Sequence, residues 1–174
     1  MAGNKPQKEF DPLQIAVLTV SDTRTEENDT SGKYLKEALE GEGHILTQKH
    51  ICKDNVDELR ALVKSLIDDE VVHAVLVTGG TGFTKRDNTV VSVTPLLESI
   101  IDGFGELFRS LSYEEIGSST IQSRAFAGLS NNTVVFCMPG SPSACKTAWE
   151  GIISEQLDSR HRPCNFVDRI TSRD

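Results

Sequence analysis

Residues 75–87 read VLVTGGTGFTKRD. An apolar, β-branched run stops at Thr78, glycines follow at positions 79, 80 and 82, and a mixed-charge stretch ends in Asp87. A short apolar run bounded by small residues predicts a buried strand that breaks into a loop. Gly79, Gly80 and Gly82 remove side chains there, permit positive φ and expose main-chain N–H groups to an anion such as phosphate. By spacing alone, the same residues serve equally well as a tight turn. No Gly-Lys-Ser/Thr follows four residues after a glycine, and the third glycine of G-x-G-x-x-G is missing, so neither a Walker A loop nor a dinucleotide fingerprint is present.

Working outward, the opening strand extends back to HAVLVT (73–78), and QIAVLTV (14–20), HILTQKHIC (44–52) and TVVFCM (133–138) read as further strands. Between the first two, Asp29, Thr30 or Ser31 can cap a helix whose inner face carries Tyr34, Leu35, Ala38 and Leu39, with Gly41 or Gly43 as its left-handed stop. Asp54 opens a second helix, with Val56, Leu59, Leu62, Val63, Leu66 and Ile67 at helical spacing. TPLLESII (94–101) predicts more helix. In PGSPSACKTAWEGIISEQL (139–157), Ser141 is a cap candidate and Pro142 fits the first helical position. Strands alternating with helices predict an α/β fold, a three-layer αβα sandwich around a mostly parallel sheet. The expected organisation is a tail over 1–13, one domain over 14–167 and a tail over 168–174.

In such a sheet the loops leaving the strand carboxyl ends share one edge, where ligands bind. Four should converge: Ser21 with Asp22, Asp54, Gly79 to Asp87, and Pro139 to Pro142. Asp54 and Asp87 beside a phosphate loop suit a hard cation such as magnesium; each could instead be a helix N-cap. PGSP adds a second small-residue loop, so the ligand expected is phosphorylated, with magnesium, in phosphoryl or nucleotidyl transfer.

Composition narrows the field. With 174 residues, 37% hydrophobic and 25% charged, the chain can bury a core without disulfides. Cys52, Cys137, Cys145 and Cys164 form no C-x-x-C pair and read as reduced, mostly buried thiols. A net charge of −8 disfavours nucleic-acid binding. No apolar run approaches the roughly 20 residues of a membrane span, and a cytoplasmic location is expected. A flavodoxin-like electron carrier is a rival, given the hydroxyl-rich loop 21–31, but aromatics are only 6% and no Tyr or Trp is placed to stack on a flavin.

Taken in order, TGGTG (78–82), Asp87, SRAFAG (123–128) and MPGSPSAC (138–145) resemble the molybdopterin-binding domain of the MoaB and MogA family. ENDTSG, GFGELFRSLSYEEIGSST and RPCNF place the resemblance on the MoaB side, from about Ile15 to Phe166. The resemblance implies an adenylyltransferase that joins ATP, with magnesium, to molybdopterin and releases pyrophosphate. It implies Asp54 and Asp87 as catalytic, magnesium-holding residues. Thr78, Gly79, Gly80, Thr81 and Gly82 would lie against substrate, and Ser123, Arg124, Gly140 and Ser141 would line the pterin-phosphate side, with Ser21 and Asp22 on the same edge. Arg124 could donate two parallel hydrogen bonds to phosphate, or form an ion pair with a carboxylate. A noncatalytic molybdopterin-binding paralogue is the alternative. The implied partners are copies of the chain, as trimer or hexamer, and other molybdenum cofactor biosynthesis proteins. Phe104, Leu107, Phe108 and Leu111, at helical spacing, could form such an interface or core. Relatives often continue the loop as Arg-Asp-x-Thr-Pro. Here it runs RDNTVVSVTP, so a different turn into the next helix is expected.

Overall fold

The computed structural model describes residues 8–172. Its elements run β1 (Gln14–Val20), α1 (Thr30–Gly41), β2 (Ile45–Cys52), α2 (Val56–Asp68), β3 (Ala74–Thr78), α3 (Thr89–Val93), β4 (Ser99–Ile100), α4 (Asp102–Ile116), β5 (Phe126–Ser130), β6 (Thr133–Met138), α5 (Pro142–Ala148), α6 (Ser154–Gln156) and α7 (Val167–Thr171). A 3₁₀ turn, Gly117–Gln122, follows α4, and a π-helical turn, Trp149–Ile153, joins α5 to α6. The six strands form one sheet in the order β2-β1-β3-β6-β5-β4. β2, β1, β3 and β6 pair in parallel, and β5 runs antiparallel to both β6 and β4.

The central strands are apolar on both faces because helices cover both. Ile15 and Val17 of β1, Ala74 and Leu76 of β3, and Val134, Phe136 and Met138 of β6 join one core, with α1, α4, α5, the π turn and α7. Their alternates Ala16, Leu18, Val75, Val77, Val135 and Cys137 join a second core under α2 and α3. This period-two partition gives the expected three layers. Each fully buried leucine or valine contributes roughly 1.5–3 kcal/mol. The cysteines are mostly buried as expected: Cys52, Cys137 and Cys145 are, and Cys164 is exposed.

The predicted helix caps divide. Asp29 Oδ1 accepts the Gly32 N–H at 2.9 Å and starts α1, and Gly43, at φ +96°, ends the turn beyond it. Ser141 caps α5, with Pro142 at its first position. At α2 the cap is Asn55 rather than Asp54: Asn55 Oδ1 takes the N–H groups of Asp57 and Glu58 at 3.0 and 3.1 Å. TPLLESII does not continue a helix. Pro95 supports only a 3₁₀ turn over Thr94–Leu96, after which the Glu98 and Ile101 N–H groups pair with the Leu129 and Ala127 carbonyls, so the segment becomes edge strand β4. FAGLS (126–130), read only as part of a motif, is β5. Residues 168–171, expected within the C-terminal tail, belong to α7, whose Ile170 is fully buried; of the N-terminal tail, residues 1–7 lie outside the described residues, while Leu13 is fully buried.

His44 links α1 to this core. Its Nδ1 accepts the Leu13 N–H at 3.1 Å, its ring packs against Phe10 and Trp149, and its Nε2 has no hydrogen-bond partner. Burial lowers its pKa below the ordinary 6.5, outweighing the nearby Asp158 carboxylate. The fold thus favours the neutral ring more than the unfolded chain does, and below about pH 6.5 the unfolded chain takes up the proton more readily. This contribution to stability is full above that value and falls as pH drops toward the folded pKa. The urea midpoint is expected to fall more between pH 7.5 and 5.5 in the wild type than in His44→Gln; equal falls would remove His44 as the cause.

Candidate functional site

The carboxyl ends of β1, β2, β3 and β6 bring the four predicted loops together. Gly79 and Gly80 have φ of +106° and +66°. A Cβ on Gly79 would lie 2.3 Å from the Val20 carbonyl oxygen, and one on Gly80 would lie 2.3 Å from Thr89 Oγ1. Both positions therefore need glycine for conformation and for space. Three bonds hold the loop from two sides: Gly79 N–H donates to the Met138 carbonyl at 2.9 Å, Thr89 N–H to the Gly80 carbonyl at 2.9 Å, and Thr89 Oγ1 to the Gly79 carbonyl at 2.7 Å. α3 begins at Thr89 without the relatives' proline; the turn there is fixed by these bonds.

The same turn joins the two acidic positions. The Asn88 N–H donates to Asp54 Oδ1 at 2.9 Å, and Asn88 Nδ2 donates to the Asp54 carbonyl at 3.1 Å. Asp54 Oδ2 lies 3.0 Å, and Asp87 Oδ2 2.8 Å, from where a Cβ on Gly80 or Gly82 would sit. Each carboxylate thus occupies room that a missing side chain vacates. Neither caps a helix. Burial raises the Asp54 pKa; Asn88's hydrogen bonds oppose this, but the charges of Asp87 and Asp22 reinforce it and the net shift is upward. Burial also acts to raise Asp87, yet hydrogen bonds from Thr84 and Gly82, with the Arg124 charge, hold it below the usual carboxylate range. Asp22 Oδ1 accepts the Asp54 N–H at 3.1 Å, while Ser21 Oγ accepts the N–H groups of Thr23 and Arg24; both shape the loop behind Asp54.

In front of the glycine loop opens a cavity of about 290 Å³. Gly80, Thr81, Gly82, Asp87, Ser123, Gly140 and Ser141 all line it. Asp54, Ser21 and Asp22 stand outside this lining, across the loop. Thr78 braces from beneath, fully buried, its Oγ1 donating to the Pro139 carbonyl at 2.9 Å. Arg124, like Gly79, is not among the residues lining this cavity and borders a separate depression with Val90, Ile121 and Phe126: its Nη2 donates to the Gly82 carbonyl and, at 3.0 Å, to that of Asp87, its guanidinium lies 4.8 Å from the Phe83 ring centroid, and its Nε is buried without a partner. Those bonds tie Arg124 to the loop's own carbonyls. A depression of about 420 Å³ lies elsewhere, lined by Ile67 to Glu70, Val72, His73, Asn131 to Thr133 and Ile170, away from every loop above.

The far wall was not foreseen. Phe108, Ser112, Glu115 and Ile116 of α4, then Ser119 and Gln122, complete the cavity with Ser143, Ala144 and Thr147 of α5. The stripe read as core or interface divides: Phe104 and Phe108 are buried, Leu111 packs on the core, and Leu107 is 46% exposed. A polar continuation at i+4 from Phe108, reaching Ser112, was the available signal. Also unforeseen is Ser31, whose Oγ donates to the Gly140 carbonyl at 2.9 Å and ties α1 to the PGSP loop.

Glycine loop, paired carboxylates and cavity on the carboxyl edge of a parallel sheet define a three-layer α/β ligand-binding domain. Residues 16–159 match the family described as "Probable molybdopterin binding domain". The chain is 53% identical over 158 residues to "Molybdenum cofactor biosynthesis protein B" of Escherichia coli (strain K12), covering 91% of this chain and 93% of that one. Against the Bacillus subtilis (strain 168) protein of the same description, identity is 46% over 152 residues, covering 87% and 89%. A "Crystal structure of Molybdenum cofactor biosynthesis protein B" superposes with TM-score 0.83 at 44% identity, covering 86% and 94%. The "tungsten cofactor synthesizing protein MoaB from Pyrococcus furiosus" gives 0.76 at 37%, covering 83% and 92%. The chain belongs to the molybdenum cofactor biosynthesis protein B family, within the molybdopterin-binding domain fold.

Proposed function

We propose that the chain acts in molybdenum cofactor biosynthesis as a magnesium-dependent adenylyltransferase that converts molybdopterin and ATP to adenylyl-molybdopterin and pyrophosphate. The observation that carries this reading is the joining of Asp54 and Asp87 by Asn88 at the mouth of a loop that admits no Cβ. Asp54 is raised partly by its negative neighbours, so a cation there relieves a repulsion built into the fold. Among the described residues no group of three or more His, Cys, Asp or Glu is placed to hold a metal. Asp54 and Asp87 would give the ion two carboxylates, and phosphate oxygens would complete the shell, which suits magnesium. Magnesium held there would neutralise charge on the departing pyrophosphate.

The chain's own residues supply position. Gly80 and Gly82 let the phosphates approach the main chain, and Ser123, Gly140 and Ser141 face the same space. The terminal phosphate of molybdopterin attacks the α-phosphorus of ATP as the bond to pyrophosphate breaks, so no protein nucleophile is required. Cys145, the thiol closest to the PGSP loop, is buried, and its pKa is pushed up to about 11, which suits packing. The trimer or hexamer implied by the resemblance belongs to the same proposal, supported by the exposed Leu107, Ile116 and Ile121. No described helix is long and apolar enough to cross a membrane.

Purified protein given molybdopterin, ATP and magnesium is expected to release pyrophosphate, and chelation of magnesium to stop it. Binding of molybdopterin without pyrophosphate release would replace this reading with that of a binding paralogue.

A further inference from the structure

The cavity holds a second carboxylate that the scheme above leaves unused. Asp87 and Glu115 are the only charged residues among those lining it. Glu115 lies in the last turn of α4, on a rim shared with a shallower groove that carries Lys146 and Glu150. The Thr147 hydroxyl donates to Glu115 Oε1 at 2.5 Å and lies 3.0 Å from the Ser143 carbonyl, which sets the carboxylate against α5. Among the described residues Glu115 has no other hydrogen bond and no ion pair, so Oε2 is left open.

A carboxylate is misplaced in a site that takes only phosphates, because like charges repel. It belongs where a ligand offers donors, and two adjacent N–H groups on a flat ring match its two oxygens as a guanidinium does. The wall around Glu115 suits such a ring: Phe108, Ile116, Pro139 and Ala144 give it apolar surface, the usual partner of a few placed polar groups. The edge in question is that of a 2-amino-4-oxopyrimidine, with its exocyclic amine and N3–H side by side, which pterin and guanine share.

We propose that Glu115 reads the two-donor edge of a pterin ring and so sets the ring specificity of this cavity. The inference rests on the molybdopterin reading above. Pterin is favoured over guanine because, on that reading, the glycine loop, with magnesium held at Asp87, would take the pterin's own phosphate in the same cavity.

The test needs neither ATP nor magnesium. Fluorescence titration would compare 6-hydroxymethylpterin, its 2,4-dioxo counterpart, which presents a carbonyl where the pterin has its amine, and guanosine. Wild type is expected to bind the pterin about 10- to 100-fold more tightly than the dioxo compound, the range for charged hydrogen bonds. Glu115→Gln and Glu115→Ala should weaken the pterin by that factor and leave the dioxo compound nearly unchanged. Both sit on an exposed helix position, and an unchanged thermal midpoint would confirm folding. Pterin binding that is tight but indifferent to the 2-position, or to Glu115, overturns the proposal and spares the molybdopterin reading. Failure of wild type to bind either pteridine overturns both. Guanosine binding tighter than pterin, with the same Glu115 dependence, overturns the pterin assignment in favour of a nucleoside.

Discussion

Asp87→Asn is expected to lower the rate of pyrophosphate release by about 10²- to 10³-fold, with protein stability little changed. The substitution keeps size and shape, and an amide oxygen can still accept the Thr84 N–H that Asp87 Oδ2 takes at 2.8 Å, so the loop keeps its turn. The lost property is charge at the one acidic position that both lines the cavity and is held ionised by its surroundings. Asp54→Asn should lose activity too, but its carboxylate also anchors the Asn88 N–H, and a stability change there would be less informative. Rates from a coupled pyrophosphate assay at saturating magnesium, with urea unfolding run in parallel, separate the two effects. An Asp87→Asn enzyme within threefold of wild type would remove Asp87 from the chemistry.

The largest stability effect should come from Gly79→Ala. The new Cβ would meet the Val20 carbonyl oxygen at 2.3 Å while φ stands at +106°, so conformational strain of about 1–3 kcal/mol adds to overpacking of similar size. Together they predict a loss of about 4 kcal/mol, or a midpoint roughly 10 °C lower for a chain of this length. Gly41→Ala is the control, since a Cβ there meets nothing within 4 Å; within α1, alanine should stabilise by roughly 0.5–1 kcal/mol. Equal midpoints for the two variants would show that the loop relaxes around a side chain.

Much of the architecture was readable because the central strands obey one rule. Residues 74–77 and 134–138 are apolar without interruption, which only a strand covered on both faces tolerates, and α1, α2 and α5 carry their stripes and stops in the residue order. The sheet's antiparallel edge was not readable in the same way. TPLLESII has apolar residues at spacings either element accepts, and pairing with β5 decided the matter. The SNNT turn between β5 and β6, with Asn131 at φ +51°, is a tight hairpin signal that a search for alternating strands and helices passes over. The placement of Asp54 and Asp87 beside the glycine loop was legible, but Asn55 beside Asp54 frees that side chain from capping, and two adjacent cap-forming residues cannot be ranked from order alone. Arg124 shows the same limit: the residue type suits phosphate, whereas the carbonyls of Gly82 and Asp87 become its partners only once a loop 37 to 42 positions away is folded against it.

The bond from the Gly79 N–H to the Met138 carbonyl also orders events in time. β1, β2 and β3 lie within the first half of the chain and can pair with one another as soon as that half is available. β6 arrives only after α3, β4, α4 and β5, a loop closure whose entropy slows the pairing of distant strands. Until β6 docks beside β3, the Gly79 N–H lacks its acceptor and the glycine pair is held by Thr89 alone. The ligand-binding edge thus depends on the late-arriving half of the chain, and a chain stalled before β6 docks would lack both the site and the β6, α5 and π-turn side chains that fill much of one core.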